Sequence, residues 1–440
     1  MPGSGTVILI GAGRLARGVD ACLRAEGADV LHLPDPGDPE LRDALERGPE
    51  AVIVATLDDI DALRWALLVE YMRPGVRLIV TIFDRTVAGQ VRGAVRNCAV
   101  VSAADLAVAS LLGPCVDEEL LALTPVPGEA PRGARSGPSA PELVRPERLH
   151  ASRVRRARGW LRSQLRPIDA GSRMLLVGAF GLVGVLVVDT LLGVARGERL
   201  IESAYSAMKV IATVDADASI DRGSEGTKAV ATASILLAAL FFAAFAAGLV
   251  QRLLDRRLIA IVGSRTLPRE DHVVVVGLGH FGFRLAGALH ALGVRVVAVE
   301  RNGETPNVRL AKRAGIPVIV GDGSERLFLE TLSLGRARAL ATVTSDDVTN
   351  ISVAVAALAV RPGLRVVLRA FEGAVTEESQ ALFKIGVVRD VFAIASAGLA
   401  AAALGRPGDV VVQGNRTFLL EPNGTAVRFP RSAEAGGQPR

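Results

Sequence analysis

Six residues in the second half of the chain, Gly277-Leu278-Gly279-His280-Phe281-Gly282, have the types and spacing that let a backbone cradle a phosphate. In a G-x-G-x-x-G turn the first glycine, here Gly277, permits the tight bend. The second, Gly279, lets a phosphate approach the backbone, and the third, Gly282, lets helix and strand pack closely. The amides opening the next helix then face an anion. Eighteen residues beyond Gly282 stands Glu300. Its carboxylate can accept hydrogen bonds from ribose hydroxyls, and its charge disfavours a 2′-phosphate. This is binding chemistry. His280 and His290 have no Lys, Tyr or acid partner at a helpful spacing, so no catalytic constellation is expected and an oxidoreductase is disfavoured.

Glycines alone are a weak signal; the elements around them give it weight. His272 is followed by four valines, a buried parallel-strand pattern. A helix-compatible stretch runs to about Leu292, and a second strand from Arg295 ends in Glu300. The chain opens with a reduced copy of this unit. Residues 7–10 form the strand, Gly11-Ala12-Gly13-Arg14-Leu15-Ala16 the turn with alanine in third place, and a second strand over 30–33 ends near Asp35. The repeat extends further, because residues 73–80 (RPGVRLIV) resemble residues 361–368 (RPGLRVVL), 288 positions later. The glycine turns lie only 266 positions apart, so the first copy lacks 22 residues, about one helix and one strand, corresponding to 305–320. Losing them compromises the adenosine side of the first unit, which therefore reads as a scaffold more than as a ligand site.

Half of the 440 residues are hydrophobic and 4% are aromatic. The mean hydropathy of +0.36 points to membrane segments. Residues 174–194 are apolar except for Asp189 and Thr190, and residues 229–250 carry no charge. Each is long enough to span a bilayer. Arg153, Arg155, Arg156, Arg158, Arg162, Arg166 and Arg173 precede the first run, and Arg252, Arg256 and Arg257 follow the second. The positive-inside rule then puts both termini in the cytoplasm of a multi-pass cell-membrane protein. Basic residues beside a span suit lipid headgroups, and with Trp160 as the one interleaved aromatic no nucleic-acid partner is expected. The three cysteines and five histidines fit no metal-ligand spacing.

These signals divide the chain. Residues 1–124 are an abbreviated Rossmann-like domain and 125–150 a Pro/Gly-rich flexible linker. Residues 151–173 are a basic juxtamembrane segment, with spans at 174–194 and 229–250 and an extracellular loop at 195–228. Residues 251–270 are a linker, 271–404 the nucleotide-binding domain, and 405–440 a tail with strand candidates at 410–413 and 417–420. The fold class is α/β Rossmann-like, with parallel sheets flanking an all-α two-helix membrane unit.

Gly321-Asp322-Gly323, the run 339–343, Ser345-Asp346-Asp347 and Asn350 carry a resemblance. Residues 271–400 resemble the TrkA-N (RCK) domain of regulators of potassium channels and transporters; residues 6–112 resemble it weakly. The resemblance implies a regulatory ligand, NAD or another adenine nucleotide (NADH, ATP or AMP). It would be held by Gly277, Gly279, Phe281, Gly282 and Glu300, with Asp322 and Asp346 or Asp347 lining the same cleft. The alternative for these aspartates is helix N-capping. The membrane unit resembles the two-span channel layout, with a re-entrant helix over 201–212. Thr213-Val214-Asp215-Ala216-Asp217 stands where a potassium filter reads T-V-G-Y-G, with aspartates in both glycine places. A ring of Asp215 or Asp217 suits monovalent or divalent cations; otherwise they belong to a solvated loop. Asp189 either faces a cavity or partner or sits at the outer interface. The resemblance implies a nucleotide-regulated cation channel, assembled as a homotetramer in the lipid bilayer. The alternative is a non-conducting, nucleotide-sensing subunit acting on a transporter partner.

Overall fold

The computed structural model describes residues 5–126, 128–146, 170–211, 225–254, 268, 270–369, 386–406 and 408–430. The chain divides into two compact units, Met1–Arg153 with Arg265–Arg440, and Val154–Ser264.

In the first unit each half of the chain builds a parallel sheet. The N-terminal half contributes β1 (Val7–Ile10), β2 (Val30–Leu33), β3 (Ala51–Val54), β4 (Leu78–Thr81) and β5 (Cys98–Val101), in the order β2-β1-β3-β4-β5. Its helices are α1 (Arg14–Ala25), α2 (Asp38–Glu46), α3 (Asp59–Met72), α4 (Arg85–Ala94) and α5 (Ala103–Val116). Strands β1, β3 and β4 are buried along their whole length, as strands covered on both faces must be. Asp58 starts α3 by accepting from the backbone amides of Ile60 and Asp61.

After α5 the chain forms β6 (Leu120–Thr124), β7 (Arg132–Arg135) and β8 (Glu142–Val144), a three-stranded antiparallel sheet. This corrects the expected flexible linker over 125–150. Ala122, Ala134 and Leu143 pack with Val411 and Leu420 from the end of the chain, a tertiary contact that composition does not encode.

The second unit holds α6 (Ala170–Ala195), α7 (Leu200–Ile211) and α8 (Glu225–Leu254). Met174–Ala195 and Lys228–Val250 are long and apolar enough to cross a membrane and are 11% buried within the chain. Helices α6 and α8 approach closely where Gly178 meets Phe241 and Phe245. Asp189 accepts a 2.7 Å hydrogen bond from Ser234 Oγ across that pair. Helix α7 occupies the place of the expected re-entrant helix, and Ser203 Oγ donates to the carbonyl of Thr190 at 2.7 Å. Thr213, Val214, Asp215, Ala216 and Asp217 lie outside the described residues, as do residues 147–169 of the basic run.

The C-terminal half returns to the first unit with β9 (His272–Val276), α9 (His280–Ala291), β10 (Arg295–Glu300), α10 (Pro306–Arg313), β11 (Val318–Val320) and α11 (Arg326–Thr331). It continues with β12 (Ala339–Thr342), α12 (Asp347–Val360), β13 (Arg365–Arg369), β14 (Val387–Arg389) and α13 (Val391–Ala403). The strand order β11-β10-β9-β12-β13-β14 is that of the first sheet with one added edge strand, β11. Three strands follow where two were expected: β15 (Asp409–Gln413), β16 (Arg416–Leu420) and β17 (Ala426–Phe429). Each half is thus a Rossmann-like sheet, a long apolar helix and a three-stranded antiparallel sheet.

The two halves exchange their last helices. Helix α5 packs on α9, β12, β13 and β14 of the C-terminal half, and α13 packs on α1 and β4 of the N-terminal half. The helices also cross each other where Gly398 meets Leu106. Both are buried along nearly their whole length, which explains why they carry almost no polar face. Arg77 donates to the carbonyls of Ala403 and Ala402 at 2.9 and 2.8 Å, closing the end of α13. Its repeat mate Arg365 donates to the Pro114 carbonyl in α5 at 3.4 Å and pairs with Glu118 at 3.6 Å.

Candidate nucleotide-binding site

In an open parallel sheet, ligands collect beyond the carboxyl ends of the strands where the strand order reverses. In the C-terminal sheet that place lies between β9 and β12, and a cavity of about 610 Å³ opens there. Gly277, Gly279, Phe281, Glu300, Asp322 and Asp346 all line it. Gly282 does not, because it is buried beneath the turn.

Each glycine has its own reason. Gly277 sits at φ +92°, and a Cβ there would lie 2.9 Å from Thr344 Cγ2. A Cβ on Gly282 would strike the carbonyl oxygen of Gly277. A Cβ on Gly279 would meet no protein atom within 4 Å. Gly279 is therefore not a packing requirement of the fold, and its bare backbone faces open space at the start of α9.

Glu300 holds the turn as well as facing the cavity. Its carboxylate accepts from the amide of Leu278 at 2.7 Å and from the amide of Asn302 at 3.2 Å. Asn307 Nδ2 donates to the Leu278 carbonyl at 2.9 Å. A carboxylate has about four acceptor sites, so two backbone bonds leave acceptor capacity for a ligand hydroxyl. Asp322 accepts from the amide and hydroxyl of Ser324 and pairs with Arg301 at 3.0 Å. The Ser324 bonds, followed by the Arg301 charge, hold its carboxyl below the usual range. Helix α11 begins after Glu325, so Asp322 shapes a turn instead of capping that helix. Asp346 does cap α12, accepting from the amide and hydroxyl of Thr349 at 2.8 and 2.5 Å. Asn350, buried one turn into α12, accepts from Thr342, Thr344 Oγ1 and the Thr344 amide and donates to the Arg369 carbonyl. It ties the ends of β12 and β13 together.

Four residues at the cavity carry no local signal in the sequence. Arg369, at the end of β13, is 7% exposed, with its guanidinium 4.7 Å from the Phe281 ring centre and 5.4 Å from that of Phe392. Phe392 comes from α13. Phe83 and Leu57 come from the N-terminal half, some 200 residues away in the chain. Phe83 stacks on His280 with ring centres 4.3 Å apart, and burial lowers the His280 pKa. The Phe83 loop is pinned by Asp59, which accepts from the amides of Phe83 and Asp84, and by Arg284 of α9, which donates to the Phe83 carbonyl at 3.0 Å.

The N-terminal turn is built differently. The Gly11 amide donates to the Leu33 carbonyl as the Gly277 amide donates to Val299. That register puts Pro34 where the second half has Glu300, so the acid expected near Asp35 is not in the equivalent position. His32 Nε2 lies 2.8 Å from the Gly11 carbonyl.

Residues 273–389 match the family model of the TrkA-N domain. Among solved structures, the chain is similar to a GsuK channel bound to NAD, with 15% identity, 92% of this chain and 64% of that chain covered, and a TM-score of 0.50. It is also similar to the NAD(P)-binding domain of an exopolyphosphatase-related protein from Archaeoglobus fulgidus, at 24% identity over 27% of this chain and 87% of that one, with a TM-score of 0.25. A UDP-N-acetylmuramoylalanine–D-glutamate ligase from Nitratidesulfovibrio vulgaris is 38% identical over 68 residues. The chain spans only 15% of that ligase's length. The glycine turn, the strand order and the family match agree: residues 273–389 match the TrkA-N domain and fold as a Rossmann-like parallel sheet.

Proposed function

We propose that this chain is a nucleotide-regulated cation channel, or a subunit of one, of the potassium type. The observation that carries the reading is the cavity at the glycine turn of β9, on a chain that also holds two helices of spanning length. The ligand is an adenine nucleotide of the NAD, NADH, ADP, ATP or AMP class. Its phosphates lie against Gly277 and Gly279 at the start of α9, its ribose hydroxyls on Glu300, and Asp322 and Asp346 border the same space. The role we assign is regulatory: among the described residues the cavity walls supply hydrogen-bonding groups and aromatic surface. A ligand shifts such a protein only by binding its two states with different affinity. The pore is formed by several copies, most simply four, in a lipid bilayer with both termini cytoplasmic.

Two measurements on the full-length protein test this. Titration calorimetry in detergent should give saturable binding of one of these nucleotides, abolished by Gly279→Trp. That variant should fold normally, since a Cβ at Gly279 meets nothing within 4 Å and the position borders the cavity. Binding that survives Gly279→Trp would place the ligand elsewhere. Ion flux into liposomes should then respond to the nucleotide that binds; a folded protein passing no cation under any condition would overturn the channel reading.

A second reading is favoured by the aspartates at 215 and 217, in place of filter glycines. On that reading the chain is a non-conducting, membrane-anchored nucleotide sensor acting on a potassium transporter. Flux that appears only with a copurifying transporter would select it.

A further inference from the structure

Among the described residues lining the cavity, His280 is the one histidine. It is the first residue of α9, directly after Gly279, at the helix end where backbone amides face an anion. Its ring stacks nearly parallel on Phe83, with 4.3 Å between centres and 24° between planes. Stacking covers a face of the ring and leaves its two nitrogens at the edge. Among the described residues neither nitrogen has a hydrogen-bond partner. Two other histidines are placed differently. His272 is buried in β9 with Nε2 3.1 Å from the Leu332 carbonyl, and His32 has Nε2 2.8 Å from the Gly11 carbonyl. His280 is the imidazole with its polar edge unspent at the place where phosphates would lie.

Charged groups approach this ring from several elements. Asp59 opens α3 and is bonded to the amides of Phe83 and Asp84. Asp84 caps α4, and the amides of Val87 and Thr86 hold its carboxyl below the usual range. Arg284, one turn along α9, pairs with Asp105 of α5 at 3.4 Å and donates to the Phe83 carbonyl. Across the turn, Glu300 is bonded to the Leu278 amide. Arg301, Asp322, Asp346 and Arg369 also line the cavity. Within the protein itself, burial keeps the His280 imidazole below its ordinary pKa, with Asp59 opposing and Arg284 adding to the effect. The dipole of α9 acts in the same direction as burial, because a cation is unfavourable at a helix N-terminus. A phosphate at that helix end reverses the balance, since a nearby anion favours the charged imidazole.

We infer that the nucleotide binds together with a proton, which His280 takes up beside the phosphates. This rests on the nucleotide reading proposed above. The imidazole gains a proton from solvent, and no covalent bond to the ligand forms or breaks. The imidazolium then donates to a phosphate oxygen, a charge-assisted bond stronger than those of the neutral turn amides. Imidazole is the side chain that ordinarily changes charge between about pH 5 and 8, so the coupling falls in the neutral range. The ligand class follows from the chemistry. A nucleotide carrying a diphosphate binds more tightly as pH falls, while an uncharged nucleoside with the same base gains nothing. The cavity thus reads nucleotide and acidity as one signal.

Titration calorimetry of the full-length protein in detergent, in two buffers of different ionisation enthalpy, counts the protons taken up per ligand. NAD is the first probe, because its bridging diphosphate does not titrate near neutral pH, whereas a terminal phosphate titrates at about 6. At about pH 7 the protein should take up a fraction of a proton per NAD, and Kd should fall about threefold to tenfold between about pH 8 and about pH 6. His280→Gln should bind NAD with no proton uptake and an affinity flat with pH. His280→Arg, permanently charged, should also bind without uptake, and at the higher pH more tightly than the unaltered protein. If ADP alone binds, the difference between the unaltered protein and His280→Gln cancels the ligand's own titration and gives the same comparison. Equal proton uptake with and without His280 would overturn the inference and leave nucleotide binding intact. So would a His280→Gln loss that is the same at every pH, which would make the ring a packing partner of Phe83. Failure of both NAD and ADP to bind would overturn the nucleotide reading and this inference with it.

Discussion

The two halves share a strand order and a set of clamps, but they differ around the glycine turn. Both have a glycine at positive φ opening the turn, Gly11 at +139° and Gly277 at +92°. Both have an arginine of the RPG repeat holding the other half's exchanged helix, Arg77 and Arg365. They part at the third position of the turn, Ala16 against Gly282, at the end of the second strand, Pro34 against Glu300, and at the missing edge strand. The halves keep in common the clamps that hold them together and the first two turn glycines; they differ at the packing position of the turn, at the end of the second strand and at the edge strand. The N-terminal half then contributes to the C-terminal cavity from outside, through Phe83.

The most severe way to test this division is at the third turn position. Gly282→Val should destabilise the first unit by about 4 kcal/mol or more, because its Cβ meets the Gly277 carbonyl. Ala16→Gly in the other half should cost only about 1 kcal/mol. Denaturant melts of both variants give the comparison, and equal losses would mean the two turns are built alike.

Acid should separate the halves next. His272, fully buried at the start of β9, has its imidazole pKa pushed down from 6.5 to about 4 by burial. The equivalent residue in the first half is Thr6, which does not titrate. With the folded pKa depressed, the unfolded chain binds the proton first as pH falls. Stability should be full above about pH 6.5 and decline toward pH 4, by about 3 kcal/mol at most. His272→Gln should flatten the melting temperature across that window; an unchanged slope would assign the acid loss to other groups.

The shared clamps should behave alike in kind. Arg77→Ala removes two charge-assisted bonds to the end of α13 and should cost about 2 kcal/mol; Arg365→Ala, with a longer bond, should cost about 1 kcal/mol. A reversed order in chemical denaturation would break the symmetry argued from the repeat. The smallest expected effect crosses from one half to the other. Phe83→Ala should weaken nucleotide binding about fivefold to tenfold, the worth of an aromatic contact of about 1 kcal/mol, and should also lower the melting temperature, because Phe83 is buried in the core. An unchanged affinity would confine the site to the C-terminal half.

Much of this was legible in the residues. The buried strand at 273–276, the glycine turn and the acid at 300 declare a Rossmann unit because each is a local requirement of backbone geometry. The 22-residue deficit between the repeats corresponds to the one strand, β11, that the first sheet lacks. The strands in 125–150 were not legible, since Ala134 and Leu143 become strand residues only by packing on Val411 and Leu420. The RPG repeat was visible, but not its purpose. Nothing near Arg77 reveals that its acceptors lie more than 300 residues away, at Ala402 and Ala403. Phe83 was invisible as a cavity residue for the same reason.

The exchange of α5 and α13 also sets an order of events during synthesis. Helix α13 ends 287 residues after α5. At translation rates of about 5–20 residues per second, roughly 15–60 s pass between the two. Through that interval the N-terminal sheet lacks the helix that covers α1 and β4, while α5 waits without the sheet it will cover. Two apolar surfaces therefore stay open as the intervening helices emerge from the ribosome. A nascent chain with such exposure is a natural client for holding chaperones, and it can close on a neighbouring chain's α13 as readily as on its own.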